Sequence, residues 1–474
     1  MNLQLLIVII YIAALFAISA YAKKLTKKGD SESFILAGRK LSAPIVAVTV
    51  TGLAIGGAST IGVAENAYNS GLAAGWYNVA WGIGAIGVGL ITAKKYRSLN
   101  VSTVPELFEK YYGNNARGLM VFSQIIVMVV IASLQYLAGG AILASLLPDI
   151  FTIKTGMMVS AVVFVGITFI GGMWSAGLSN ILNVALIYVG IIAASIASVS
   201  SLGGFSEISL ALPKEIPYFH LIDGIGLGMI IAWIVVMATQ TQSLQAVVQI
   251  SFSAKDATNA KKGFIMGGLL MLPIGFLSAI MGIAAKAAYP DISATMALPK
   301  IIMSLNPMLA GITLAALWAA DVSTACNLLL GTSTLFSQDI FKRYIKPDID
   351  EDKFSIVTKL TVVVIGILTF VLASSVVGIL KTLLVALSLT TAFTLTMLFT
   401  LFKPSMCRKS SASATIIAGI ITLIVWQLVP AVRIFSHPIY MEWIVCTIVF
   451  FGVMIIDKRK IVEIENREEM VENA

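Results

Sequence analysis

Of the 24 carboxylates in this 474-residue sequence, two lie well inside apolar stretches: Glu65 and Asp321. An acid at membrane depth is costly and marks ion or solute chemistry. Asp321 stands in the run Ala319-Ala-Asp-Val-Ser-Thr-Ala-Cys-Asn327, where Ala320, Ser323 and Thr324 fall at i, i+3 and i+4 on one helix face. A carbonyl and two hydroxyls projecting together are hard oxygen ligands, which suit a small hard cation such as Na+. The same hydroxyls can equally bond the carbonyl one turn earlier. Asp321, three residues before Thr324, either offsets a cation's charge, titrates as a proton site, or is a hydrogen-bonded structural acid. Glu65 reads either as part of a solute path or as a solvated vestibule residue near the outer end of its helix.

Two further segments are rich in polar and helix-weakening residues. Thr51–Thr60 holds three glycines and three hydroxyls, and Met237–Gln245 is a polar block in an otherwise apolar run. A glycine costs a helix up to about 1 kcal/mol, and freed carbonyls need partners in a dry environment. Close packing of small residues is one reading. Unwinding of both, five spans apart, is the other; it matches a repeated five-helix unit with a transport site at the repeat interface. In that case unwound carbonyls of the first segment supply the cation's remaining oxygens. A midplane cavity would then be lined by Gly56, Ser59, Thr60, Asn78, Gln135, Gln240, Thr241 and Gln245, an amide-rich wall suited to a small polar organic solute. Glu65 and Asp321 tilt the choice toward a solute with an amino group, such as an amino acid. Trp76, Tyr77 and Trp81 read first as core or belt aromatics.

Catalysis finds little support. Both histidines, His220 and His437, are expected at the outer surface, so intramembrane serine or zinc chemistry lacks its histidine at depth. The three cysteines are scattered and define neither a disulfide framework nor a metal site. The chain is not expected to be an enzyme.

The elements that position these residues follow from composition. Only 12% of residues are charged and 58% are hydrophobic, with a mean hydropathy of +0.94. A soluble protein carries roughly a quarter charged residues, so the chain reads as an all-α polytopic membrane protein. Thirteen stretches reach spanning length: about 3–22, 42–67, 71–93, 117–147, 155–173, 176–200, 222–247, 263–289, 307–337, 356–379, 382–402, 412–432 and 438–456. The first resembles a signal peptide at Ala20-Tyr-Ala22 but lacks a basic start and is followed by Lys23-Lys24, so it is kept as a span. Placing the N-terminus outside and the C-terminus in the cytoplasm puts 26 of the 32 basic residues inside. This explains the net charge of +8 without nucleic acid. The loops and the 18 residues after the last span are too short for a soluble catalytic or sensor domain. The bilayer and a small solute are the partners expected, with no obligate protein partner evident.

Phe34-Ile-Leu-Ala-Gly-Arg-Lys-Leu41, Thr103-Val-Pro-Glu-Leu-Phe-Glu-Lys-Tyr-Tyr-Gly113, Gly171-Gly-Met-Trp-Ser-Ala176, Gln245-x-x-Val-Gln249 with Ser253-Ala-Lys255, and Thr332-Ser-Thr-Leu-Phe-Ser-Gln-Asp-Ile-Phe341 occur in this order. Together they resemble the sodium:solute symporter family across nearly the whole chain. The resemblance implies a leucine-transporter-type fold with five-plus-five inverted repeats and extra terminal helices. Residues 1–41 would form the first span and loop, 42–202 the first repeat, 203–404 the second, and 405–474 two peripheral helices and a tail. It also implies a sodium site from the carbonyls of Gly52, Ile55 and Ala320 and the hydroxyls of Ser323 and Thr324, with transport by alternating access in the cell membrane. The sequence departs from the family where many relatives carry an Asp contributing to a second sodium site: Asn180 stands there. Ile250 replaces the usual Arg after Val-Gln, and Asp321 is an acid where many relatives are apolar. Coupling to H+ through Asp321 is thus the alternative to Na+, and a solute sensor or channel a remote one.

Overall fold

A computed structural model describes residues 3–461 apart from 28, 147 and 376–378; the expected charged tail therefore lies largely outside the described residues. The principal helices are α1 (Leu3–Leu25), α2 (Ala43–Ala54), α3 (Val63–Ser70), α4 (Trp76–Ile91), α5 (Val104–Tyr112), α6 (Asn114–Leu146), α7 (Ile153–Ser201) and α8 (Leu227–Ser243). They continue with α9 (Gln245–Ser253), α10 (Ala257–Ala288), α11 (Pro307–Thr334), α12 (Glu351–Ala373), α13 (Ile379–Ser388), α14 (Thr391–Phe402), α15 (Ser411–Leu428) and α16 (Pro438–Ile456). Each of the thirteen expected apolar stretches overlaps one or more of these helices, with residues 147 and 376–378 of two of them outside the described residues. By length and apolar character alone, nine helices of the described residues suffice to cross a membrane, or eleven if each bent pair is one span. The difference from thirteen has two sources. Residues 58–91 run together through the turn at Gly71. The 49 residues of α7, about 74 Å at 1.5 Å per residue, are counted once although Gly172 (φ 53°, ψ −134°) interrupts them. A Cβ at Gly172 would strike Phe34, so the interruption needs glycine for space as well as for φ.

Local chemistry starts and stops these helices. Thr152 and Thr155 form a reciprocal cap at the start of α7. Pro at the first turn with an Asn306 cap starts α11. His437 caps α16 by accepting from the Ile439 amide at 3.2 Å; burial pushes its imidazole down to about 4, which keeps the ring neutral and the lone pair available.

α11 is the most enclosed of the spanning helices. It packs on α7 and α6, while α10 packs on α4 and α2, and α8 on α4. The periphery presents large apolar side chains outward, Ile356, Leu360, Val364 and Val371 on α12 and Ile448 and Ile455 on α16 among them. Such a surface matches hydrocarbon, not water. The enclosed helix carries Asp321, Ser323 and Thr324, so the fold buries its chemistry at the centre.

Candidate functional site

α2 ends where Ile55 leaves the helical region (φ −91°, ψ 86°) ahead of Gly56-Gly57, and a π-helical turn over Ala58–Gly62 leads into α3. In an uninterrupted helix the amides of residues 56 and 57 would satisfy the carbonyls of 52 and 53. Here the Gly57 amide instead donates to Gln135 Oε1 at 2.7 Å. The two freed carbonyls turn to α11. Ser323 Oγ lies 2.8 Å from Gly52 O and 2.8 Å from Ala320 O, and Thr324 Oγ1 lies 3.0 Å from Gly52 O and from Leu53 O. Five oxygens from two helices thus converge, the donor set expected for a small hard cation. Gly52, Ala320, Ser323 and Thr324 are brought together as expected. The Leu53 carbonyl was not among the expected oxygens, yet Thr324 bonds it; the expected Ile55 is the residue at which α2 ends.

Asp321 is fully buried beside the break: a Cβ on Gly57 would lie 2.8 Å from its Oδ1. Neither carboxylate oxygen has a hydrogen-bond partner among the described residues. Asn180 packs against Gly52, where a Cβ would come within 2.6 Å of its side chain. Its Oδ1 accepts from Asn183 Nδ2 at 3.2 Å, and Asn183 Oδ1 accepts from the Tyr11 hydroxyl at 2.8 Å. A polar chain therefore runs from the oxygen cluster to α1, outside the repeats implied by the sequence. Nothing in the sequence flagged Tyr11 or Asn183.

The expected solute-lining residues divide. Ser59 and Thr60 bond back into the break, to Ala54 O at 2.5 Å and Gly56 O at 3.0 Å, and Gly56 faces Thr324 and Gln135. Asn78 is buried, and among the described residues neither of its amide atoms nor Gln240 Oε1 has a hydrogen-bond partner. Buried amides without partners cost free energy unless a ligand or water meets them. Tyr77 and Trp81, read first as core aromatics, are buried here, with Trp81 Nε1 donating to Tyr77 Oη at 3.0 Å and Trp233 edge-on to Tyr77 at 6.4 Å. Trp233 was not anticipated. Thr241 bonds Met237 O within its own helix against Gly84. Glu65 is half-buried on α3, beyond the break.

Gln245 belongs elsewhere. Its Oε1 accepts from the Val104 amide at 2.8 Å and its Nε2 donates to Gln249 Oε1 at 3.2 Å, which ties it to the 101–113 segment and away from the cluster. The expected unwinding of Met237–Gln245 also moves: α8 stays helical to Ser243 and bends by 50° into α9 at Leu244. Gln124 takes up the groups released there, donating to Ser243 O at 2.7 Å and accepting from the Gln245 amide at 3.0 Å. Nearby, Asp339 is fully buried, with Arg117 2.6 Å away and the Thr103 hydroxyl donating at 3.0 Å; Arg117 also pairs with Glu109, which Arg343 holds at 2.6 Å.

The tightness of the break carries its own expectation. A methyl group on Gly57 would collide with Ala138 and Asp321. Gly57→Ala should therefore cost about 1–3 kcal/mol through overpacking and shift the oxygen cluster; a melting temperature and a Na+ titration of the variant check this.

A broken helix, crossed by a second helix that completes an oxygen cluster, within a bundle of apolar spans, is the arrangement of secondary transporters of the leucine-transporter type. Over 98% of the chain and 99% of the other, the fold is that of a Na+-coupled sialic acid symporter solved in a substrate-bound outward-open state, with a TM-score of 0.79 and 19% identity. The chain belongs to the sodium:solute symporter family, whose profile matches residues 34–419. It is 26% identical to the sodium/glucose cotransporter of Vibrio parahaemolyticus over 416 residues, 80% of this chain and 76% of that one. It is also 26% identical to the sodium/proline symporter of Haemophilus influenzae over 453 residues, 89% and 88% of the two chains. The protein is thus an integral membrane symporter that couples Na+ to a small solute.

Proposed function

We propose that the protein moves a small, amino-bearing polar solute inward across the cell membrane, with Na+ bound by the Gly52, Leu53 and Ala320 carbonyls and the Ser323 and Thr324 hydroxyls. The observation that carries this reading is the convergence of those five oxygens on the break between α2 and α3. Na+ there joins the broken span to α11 and stabilises one conformation; the solute binds that conformation more tightly, and by linkage tightens Na+ equally. Alternating access is the rocking of residues 42–202 against 203–404, in thirteen crossings with the N-terminus outside and the C-terminus cytoplasmic. The solute lies against the Asn78 amide and Gln240 Oε1, which meet no hydrogen-bond partner among the described residues, with Tyr77 and Trp233 as its apolar wall. Asp321 supplies the anion facing its amino group. Asn180, neutral and bonded to Asn183, favours one bound Na+ over two.

Uptake into proteoliposomes under an inward Na+ gradient tests the coupling, and uptake driven equally well without Na+ would sink it. For the solute class, a thermal-shift screen of amino acids and their deaminated counterparts in Na+ is informative, because a ligand stabilises the fold by mass action. Amine-bearing solutes are expected to stabilise the protein and deaminated ones not. Asp321→Asn should weaken that binding at least about tenfold, about 1.4 kcal/mol. Equal responses to both solute series would refute the role of Asp321 and leave Na+ coupling standing.

A further inference from the structure

A groove of about 680 Å3 runs between α4, α8, α14 and α16, with no residue of the oxygen cluster in its lining, and is unused by the transport reading. Its walls are apolar, with Ile83, Val235, Leu398 and Phe399 among them, and Ile83 and Ile91 are turned outward on the lipid-facing side. Its floor is cut by Gly87, where a Cβ would meet nothing closer than Gln242 Nε2 at 3.5 Å. From Ile83 to Ile91 the trough follows α4 for about 12 Å at the helical rise.

One end of the groove is cationic. It closes on Lys403, just past the end of α14, whose side chain is exposed and makes no hydrogen bond or ion pair among the described residues. Lys95 reaches the same end: its ammonium lies 4.2 Å from the centre of the Phe402 ring and donates to Leu401 O at 2.5 Å. An apolar trough closed by the Lys403 ammonium where the helices end, with the Lys95 ammonium already committed to Leu401 O and the Phe402 ring, has the chemistry of a lipid site, hydrocarbon along the walls and an acidic headgroup on Lys403. A zwitterionic headgroup brings its own cation to the same place and is held less well.

We infer that this groove binds one anionic phospholipid, its acyl chain against α4 and α14 and its phosphate on Lys403. The inner wall includes Thr239 and Gln242 of α8, just ahead of the bend at Leu244, and Thr239 receives a hydrogen bond from Trp443 Nε1 at 3.0 Å. The lipid therefore props the bent span from outside.

Trp443 lines the groove and reports on its occupant. The full chain is reconstituted in phosphatidylcholine vesicles containing a minor fraction of phospholipid with brominated acyl chains, either phosphatidylglycerol or phosphatidylcholine. The Trp443 signal is taken as the difference from Trp443→Phe. Brominated phosphatidylglycerol should quench it at about fivefold lower mole fraction than brominated phosphatidylcholine, the worth of one lysine near an anionic headgroup. Lys403→Gln should remove that preference, and Gly87→Leu, which fills the trough but keeps the lysine, should remove the quenching by both lipids. Equal quenching by the two lipids, a preference that survives Lys403→Gln, or quenching that survives Gly87→Leu would each overturn the assignment.

Discussion

Ser323→Ala and Thr324→Ala should each raise the Na+ concentration for half-maximal uptake by about tenfold, or about 1.4 kcal/mol of Na+ binding. Each removes one hydroxyl oxygen from the cluster: Ser323→Ala leaves Gly52 O with Thr324 alone, and Thr324→Ala leaves Gly52 O with Ser323 alone and takes away the hydroxyl that meets Leu53 O. Because Na+ and solute binding are reciprocal, solute affinity at limiting Na+ should fall by the same factor and recover at saturating Na+. Thr332→Ala is the control: its buried hydroxyl bonds only Leu328 O on its own helix, at 2.8 Å. It should leave the Na+ requirement where it was. A Na+ dependence of uptake that is the same in all three variants and the parent would show that the cluster is not where Na+ acts.

The second large effect is expected at the other end of α11. Arg117→Ala leaves the carboxylate of Asp339 buried with the Thr103 hydroxyl as its remaining hydrogen-bond partner, and frees Glu109 from one of its two arginines. Removing one partner of a buried ion pair costs about 3–5 kcal/mol, whereas removing both costs much less. The melting temperature of Arg117→Ala should therefore drop sharply, and Arg117→Ala/Asp339→Ala should regain most of the loss. The network joins α5, α6 and the continuation of α11 through residues 335–345, so its loss should also open that face. A cysteine introduced at Gln245, which bonds the Val104 amide there, should become more reactive toward a membrane-impermeant thiol reagent. A double variant no more stable than Arg117→Ala would mean that the pair is not the source of the loss.

Much of the centre was legible because the physical constraints there are strict. Two hydroxyls on one face of an apolar helix beside a buried acid are costly unless used, and the i, i+3, i+4 spacing led to Ala320, Ser323 and Thr324. The Leu53 carbonyl was also within reach: counting one helical turn back from Gly56-Gly57 identifies both carbonyls that lose their donors. The family resemblance adds the Ile55 carbonyl, at the residue where the helical path ends. Gln245 went astray for a different reason. Polar residues in an apolar run signal unsatisfied backbone nearby, but they do not say whether a solute or another loop satisfies it; here the 101–113 segment does. The displaced break at Leu244 follows from the same ambiguity, since Thr241 bonds within the helix and lets it continue. Tyr11 and Asn183 left no periodic signal at all, because a single hydroxyl and a single amide on two different spans meet only through tertiary packing.

One helix holds both interruptions. Gln124 serves the bend at Leu244 and Gln135 the break at Gly57, and both project from α6. Their separation of eleven residues is close to three full turns, about 10.8 residues, which keeps the two amides in phase on one face. α6 thus acts as a ruler between the two broken spans. A single residue inserted between the glutamines would turn one of them by about 100° and unclip its break while leaving the other engaged. The spacing of its two glutamines is therefore as much a part of this helix's role as their identity.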